Sequence, residues 1–274
     1  MLFALSRAMV WLLAALYTLL GLPLFFAPGL LATNFAWKVS PFVTMTIGAW
    51  CLGNAWLAAT SAWRGQWRLI YTPLLYLGLF GLFELAVVVA FRAKLVLTSP
   101  MAWLYLVTLG VNAAAAALWA LEWLRRRPAL IAFGPSPSAL DRAFVAAFVL
   151  FVGCLAAYGL VAPVGAPGTN GGIFPEVMSP FTLRSFAAFY LSLALAATPL
   201  LWERATAPGL HHAFASYGLI VIITVAAMVF IGQFDFLARP GGLVYFGAYL
   251  VVGIPLLFIF LVRGTGTRGP RPPV

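Results

Sequence analysis

The 274 residues are 64% hydrophobic and 8% charged, against about 45–50% and about 25% in soluble domains, which excludes a water-soluble globular fold and leaves the bilayer as solvent. The formal net charge of +10 does not imply a nucleic-acid partner, because the basic residues fall in loops and tails, where they set orientation in a membrane. Cys51 and Cys154 each lie alone in an apolar run, without C-x-x-C spacing or a neighbouring histidine, so neither a redox relay nor a zinc site is expected.

Crossing a hydrocarbon core of about 30 Å takes about 20 apolar residues in helical form. Eight such segments follow one another: 8–26, 41–63, 69–91, 101–121, 144–162, 180–201, 213–234 and 242–262. The first, behind Arg7, has the outline of a secretory signal. The segment at 144–162 holds the same place in the second half and cannot be cleaved off, so 8–26 reads as a retained helix.

The second segment opens on Ser40-Pro41-Phe42 and carries Asn54. A serine that caps free helical N–H groups, followed by proline at the first helical position, marks a helix start. Glu84 interrupts the third segment, and the fourth carries Asn112 and the run Ala113 to Ala117, a smooth surface for close helix approach. Arg125-Arg126-Arg127-Pro128 and then Gly134, Pro135 and Pro137 define a linker at 128–141. The sixth segment opens on Ser179-Pro180-Phe181 and contains Arg184. His211 and His212 precede the seventh, which ends near Gln233 and Asp235, and a Pro- and Gly-rich tail at 264–274 is expected to be disordered.

The two Ser-Pro-Phe tripeptides stand 139 residues apart, Phe35 and Phe174 share that offset, and Pro100 and Tyr105 recur 140 residues later as Pro240 and Tyr245. Concordant offsets indicate an internal duplication. The fold expected is all-α: a polytopic integral membrane protein whose eight transmembrane helices form two tandem parallel four-helix repeats, 1–127 and 142–263. An even repeat places both halves in the same orientation about an axis along the membrane normal. If the N-terminus is cytoplasmic, eleven basic residues collect on that side against five opposite, which predicts both termini inside. Two Lys against fourteen Arg, with abundant Ala, fits a GC-rich coding sequence and hence a bacterial plasma membrane.

Four polar residues inside the apolar segments are the site candidates. An acid in hydrocarbon faces protein or water and finds a partner. Glu84 lies about 24 Å along its helix and Arg184 about 6 Å from the start of its own, running the opposite way, so the two reach similar depth and Arg184 is the leading candidate partner, the rival reading being Arg184 reaching out to headgroups with Glu84 neutral or facing water. Asn54 and Asn112, about 20 Å and about 17 Å below the same surface, are expected to hydrogen-bond between helices, with ligand contact as the rival role. Adjacent helical positions diverge by about 100°, so His211 and His212 cannot both ligate one haem iron and are read as interfacial. Trp11, Trp37, Trp63, Trp67, Trp103, Trp119, Trp123 and Trp202 lie near segment ends, where an aromatic belt is expected.

No Ser/His/Asp set, H-E-x-x-H, dinucleotide glycine pattern or carboxylate dyad occurs, and no cofactor or metal is implied. The best functional expectation is a small carrier for a lipid or other largely apolar molecule. The alternatives are a structural or accessory subunit of a membrane complex and a membrane enzyme in which Glu84 and Arg184 act together. The expected partners are the lipid bilayer and, for the second reading, another membrane protein.

Overall fold

The computed structural model describes residues 1–127, 135–163, 173 and 176–263. The helices are α1 (Ala4–Phe26), the short α2 (Pro28–Leu31), α3 (Pro41–Arg64), α4 (Trp67–Ala90), α5 (Pro100–Arg126), α6 (Ala139–Val161), α7 (Pro180–Ala197), α8 (Thr206–Val229) and α9 (Gly241–Arg263). All but α2 are long and apolar enough to cross a membrane, α7 together with the 3-10 turn Thr198–Trp202 that extends it. Among the described residues the protein is thus an all-helical, multi-pass membrane protein of eight candidate spans. Eight successive crossings return α9 to the side where α1 begins, here the terminal face, opposite the far face.

Helix starts follow the serines. Ser40 accepts from Val43 N–H and Ser179 from Thr182 N–H, each with proline at the next position. Ser99 caps α5 in the same manner, and Ser138 forms a reciprocal capping box with Asp141 at the head of α6. That box starts α6 at Ala139, inside the expected linker; residues 128–134 of the linker, the tail at 264–274 and Phe174 lie outside the described residues.

The largest departure from the expected segments is α8, which begins at Thr206, seven residues before the predicted boundary. Proline at 199 lacks the N–H that would continue α7, so the chain tightens into its 3-10 turn and α8 starts early. His211 and His212 consequently lie within the helix, in its second turn, and are buried at 0% and 5% exposure.

α3 is the central helix, packed along α1 on one side and α8 on the other. Both seams need glycine. A Cβ at Gly48 would sit 2.6 Å from the Phe25 backbone nitrogen, and one at Gly53 would sit 2.4 Å from Leu219 Cδ2. α4 lies against α7 and α8, α5 closes over α1 and α4, α6 lies along α7, and α9 rests chiefly on α8. α1 and α5 share a seam, whereas α6 and α9 make no comparable one, and a groove runs between them. Aromatic stacking ties the two halves together inside the bundle, where Trp50 lies parallel to Phe189 with ring centroids 4.8 Å apart.

The tryptophan belt is only partial. Trp11, Trp63, Trp103 and Trp202 are exposed toward the surrounding solvent or lipid, but Trp37, Trp67 and Trp119 are core residues. Trp67 is held at the terminal face by Glu122, whose Oε1 accepts from its indole N–H at 3.1 Å and from Phe3 N–H at 2.8 Å. Leu2 N–H reaches Gly65 O at 2.7 Å, and the Arg126 guanidinium lies 3.3 Å above the Phe3 ring. The first residues are thereby strapped across the ends of α3, α4 and α5.

Candidate functional site

Two groups of buried polar residues are candidates for a site, one in a closed cluster in the bundle and one in a groove beside it. In the cluster, Glu84 on α4 is 1% exposed and its Oε2 accepts from the Tyr105 hydroxyl at 2.9 Å. Asn112 on α5 donates through Nδ2 to the Tyr17 hydroxyl at 2.6 Å, and Asn54 on α3 accepts from the Tyr76 hydroxyl at 2.9 Å. Each amide thus binds a tyrosine on another helix, and the two asparagines do not meet. Gly81 makes room for one of them, since a Cβ there would lie 2.6 Å from Asn112 Cγ.

The expected Glu84 to Arg184 pair is not made. Arg184 Nη1 donates to the carbonyls of Gly159 at 2.6 Å and Ala162 at 3.2 Å. Those carbonyls belong to the end of α6, where the last turn leaves oxygens without helical partners and attracts a cation. Rotation about the helix axis decides the outcome. Ser185, one position on and about 100° around α7, borders the small void beside Glu84 in place of Arg184.

That void, of about 10 Å³, is bordered by Tyr17, Glu84, Tyr105, Thr108 and Ser185 among largely apolar neighbours. Glu84 Oε1, which borders it, has no protein partner; Asn112 Oδ1 and Asn54 Nδ2 are likewise unpaired but do not line the void. A space of about 10–15 Å³ with polar neighbours is what one internal water needs. The cluster is therefore suited to a fixed water within a tyrosine-rich hydrogen-bond network, and too small for a solute.

The groove is larger, about 470 Å³, bounded by α6, α8, α9 and the turn after α7. Its size falls in the range of about 300–1,000 Å³ typical of small-molecule sites. On α8 the lining runs Gly209, His212, Ser216 and Ile220, spaced by three or four residues and so on one face. Facing them are Phe144 and Phe148 of α6 and Val252 and Ile259 of α9. Neither ring nitrogen of His212 nor the hydroxyl of Ser216 has a hydrogen-bond partner, although His212 is 5% and Ser216 9% exposed. Buried polar groups are normally paired, and an unpaired one costs about 1–3 kcal/mol. His211 on the neighbouring face is fully buried and equally without partners, but does not border the groove.

His212 and Ser216 are the residues that reading the sequence missed. A signal was present in the stripe Gly209, His212, Ser216, but it required α8 to extend back to Thr206. Cys51 is buried, Cys154 is exposed, and both are free thiols. Among the described residues no three of histidine, cysteine, aspartate and glutamate gather as a metal site would need.

Fold and site together define a polytopic helical membrane protein with an apolar groove bounded by α6, α8 and α9. Comparison with protein-family models, curated proteins and solved structures finds no match.

Proposed function

We propose that the chain is a small membrane carrier that takes a lipid or another largely apolar molecule into the groove between α6, α8 and α9. The observation that carries this reading is the groove itself: an apolar space of about 470 Å³ containing two buried, unpartnered hydrogen-bonding side chains, His212 and Ser216. An apolar wall alone is what any membrane helix presents. Unsatisfied polar groups inside it favour an occupant that satisfies them.

The eight spans read as two tandem parallel four-helix repeats. Matching serine caps at Ser40 and Ser179 support this, as does the exchange of contacts, with α1 on α3 answering α6 on α7 and α3 on α8 answering α4 on α7. In that frame α6 and α9 correspond to α1 and α5, so the groove occupies the position of a helix seam that is closed in the first half. The basic asymmetry orients both termini to the cytoplasm, in a bacterial plasma membrane.

The test uses Gly209, which lines the groove and where an added Cβ meets nothing within 4 Å. Gly209→Trp is designed to place an indole in the groove. Native mass spectrometry of the full chain released from membranes in mild detergent should show a retained lipid-sized adduct in the wild type and its loss in the variant. Equal adducts in both, or none in either, would refute the carrier. A stoichiometric protein partner in place of the adduct would establish the subunit reading.

A further inference from the structure

Glu84 is a buried acid that the groove does not use, and no cation borders the void beside it. That void meets Tyr17 from α1, Cys51 from α3, Tyr105 and Thr108 from α5 and Ser185 from α7, while α8 contributes nothing to its border. Tyr76, about two turns away on α4, is committed to Asn54, and Arg184 is turned to the α6 carbonyls. A carboxylate kept here would be an unpaired charge away from water, a state that burial strongly opposes.

The two carboxyl oxygens differ. Oε2 accepts from the Tyr105 hydroxyl at 2.9 Å, whereas Oε1 is buried without a partner. Ser185 Oγ reaches toward the carboxyl and is likewise without a completed hydrogen bond. The Tyr17 hydroxyl accepts from Asn112 and keeps its own proton to give. From Ser185 a stripe of hydroxyls leads along α7 to the far face. Thr182 and Ser179 precede it at intervals of three, hence on one side of the helix, and their own hydroxyls lie 3.1 Å apart. Thr182 also holds the indole of Trp37, which borders the void. Ser179 is exposed at the head of α7, about 9 Å along the axis from Ser185.

We propose that Glu84 is a proton-binding site loaded from the far face along the hydroxyls of Ser179, Thr182 and Ser185. One proton from the aqueous phase ends on Oε1, converting the carboxylate to the neutral acid, while Oε2 goes on accepting from Tyr105. Each hydroxyl releases a proton ahead and takes one from behind, and a water in the void joins Ser185 to Oε1. A metal cation would need a cage of free oxygens. Here the Tyr105 and Thr108 hydroxyls are already given to Glu84 and the Leu104 carbonyl, and most of the remaining wall is apolar. The site lies outside the groove, so its test does not depend on the carrier.

Infrared spectroscopy of the full chain in nanodiscs at neutral pH should show the carbonyl stretch of a protonated carboxyl, and Glu84→Gln should remove it. Tyr105→Phe keeps the acid but takes a donor from its carbonyl oxygen, so it should move that band to higher frequency, a readout that stands in for Glu84→Gln should that variant fail to fold. On mixing with heavy water the band should shift as the proton exchanges. Ser185→Ala should slow that shift about tenfold, the factor one hydrogen bond supplies. Ser192→Ala, two turns deeper on α7 and bonded to the Ala188 carbonyl, should leave it unchanged. Absence of the band, or a band that survives Glu84→Gln and ignores Tyr105→Phe, would overturn the proton site. A band erased by sodium chloride and not by choline chloride would replace the proton with a metal cation. No slowing by Ser185→Ala, or equal slowing by Ser192→Ala, would overturn the path from the far face.

Discussion

Trp37 lies flat on Phe181, the ring centroids 4.0 Å apart and the planes 12° from parallel, and its indole N–H donates to Thr182 Oγ1 at 3.0 Å. The segment before α3 is thereby clamped onto the first turn of α7, and beside it the Ser40 hydroxyl donates to Glu176. A residue cap and a side-chain stack from one half close on the helix start of the other. The bundle is stapled at its far face as well as through its interior.

Removing the stack should be expensive. Trp37→Ala is expected to destabilise the protein by about 3–5 kcal/mol, the usual range for truncating a buried aromatic. Trp37→Phe, which keeps a stacking ring and loses the bond to Thr182, should cost about 1 kcal/mol for the bond. Thermal unfolding in a fixed detergent compares the two. Equal losses would mean that the stack contributes little.

The Glu176 carboxyl lies in the loop and is pushed above its ordinary 4.5 by burial, with the Ser40 hydroxyl acting in the opposite direction. A carboxyl whose pKa is higher in the folded state contributes stability fully below the unfolded value and loses it as pH rises through the folded one. Glu176→Gln should therefore match the wild type in melting temperature in acid and exceed it increasingly as pH rises above 4.5. A wild type that gains on the variant with rising pH would contradict the direction of the shift.

At Glu84 the hydrogen bond, not a counter-charge, is expected to decide tolerance. Glu84→Gln retains an acceptor for Tyr105, whereas Glu84→Leu leaves that hydroxyl unpaired in the core at a cost of about 1–3 kcal/mol. Because Arg184 binds the carbonyls at the end of α6, Glu84→Gln and Arg184→Gln should be additive within about 0.5 kcal/mol. Stability measured over the four-member cycle tests this. A coupling well above that figure would restore the ion pair.

Gly53→Ala places a methyl 2.4 Å from Leu219 Cδ2 and 2.8 Å from Leu219 Cα. Backbone cannot move aside as a side chain can, so α3 and α8 must separate, at about 1–3 kcal/mol. Gly110→Ala, where a Cβ meets nothing within 4 Å, should be neutral or stabilising by up to about 1 kcal/mol through helix propensity. Unfolding both variants side by side provides the control. A neutral Gly53→Ala would show that the seam is looser than described.

What could be read in advance depended on whether the property is local. Ser40 and Ser179 were legible as caps because a cap is decided by a residue and the three that follow it. The eight apolar segments are legible by length; the start of α8 is not, because the polar pair His211-His212 lowers the hydropathy of its first turns. Glu84 and Arg184 were rightly picked out as polar residues in hydrocarbon, yet their partners, Tyr105 and the α6 carbonyls, depend on the rotation of α4 and α7 about their own axes. Hydropathy contains no such angle. The same holds for Trp37, Trp67 and Trp119, which sit near segment ends like belt residues and turn inward. The groove was beyond reach altogether, because it lies where α6 and α9 do not form the seam that α1 and α5 make.

α9 is supported unevenly along its length. Near the far face Tyr245 lies in an aromatic group with Phe42 and Phe234, at centroid distances of 6.4 Å and 5.9 Å. Toward the terminal face its inner side borders the groove, and its steadying contacts there come from α8, such as Tyr217 and Phe260 with centroids 5.4 Å apart. A rod pinned at one end and leaning on one neighbour yields most readily by swinging its free end sideways. On the carrier reading, swinging of that end would open the groove to exchange with the surrounding lipid, so loading would follow the ligand's mole fraction in the membrane and not its aqueous concentration.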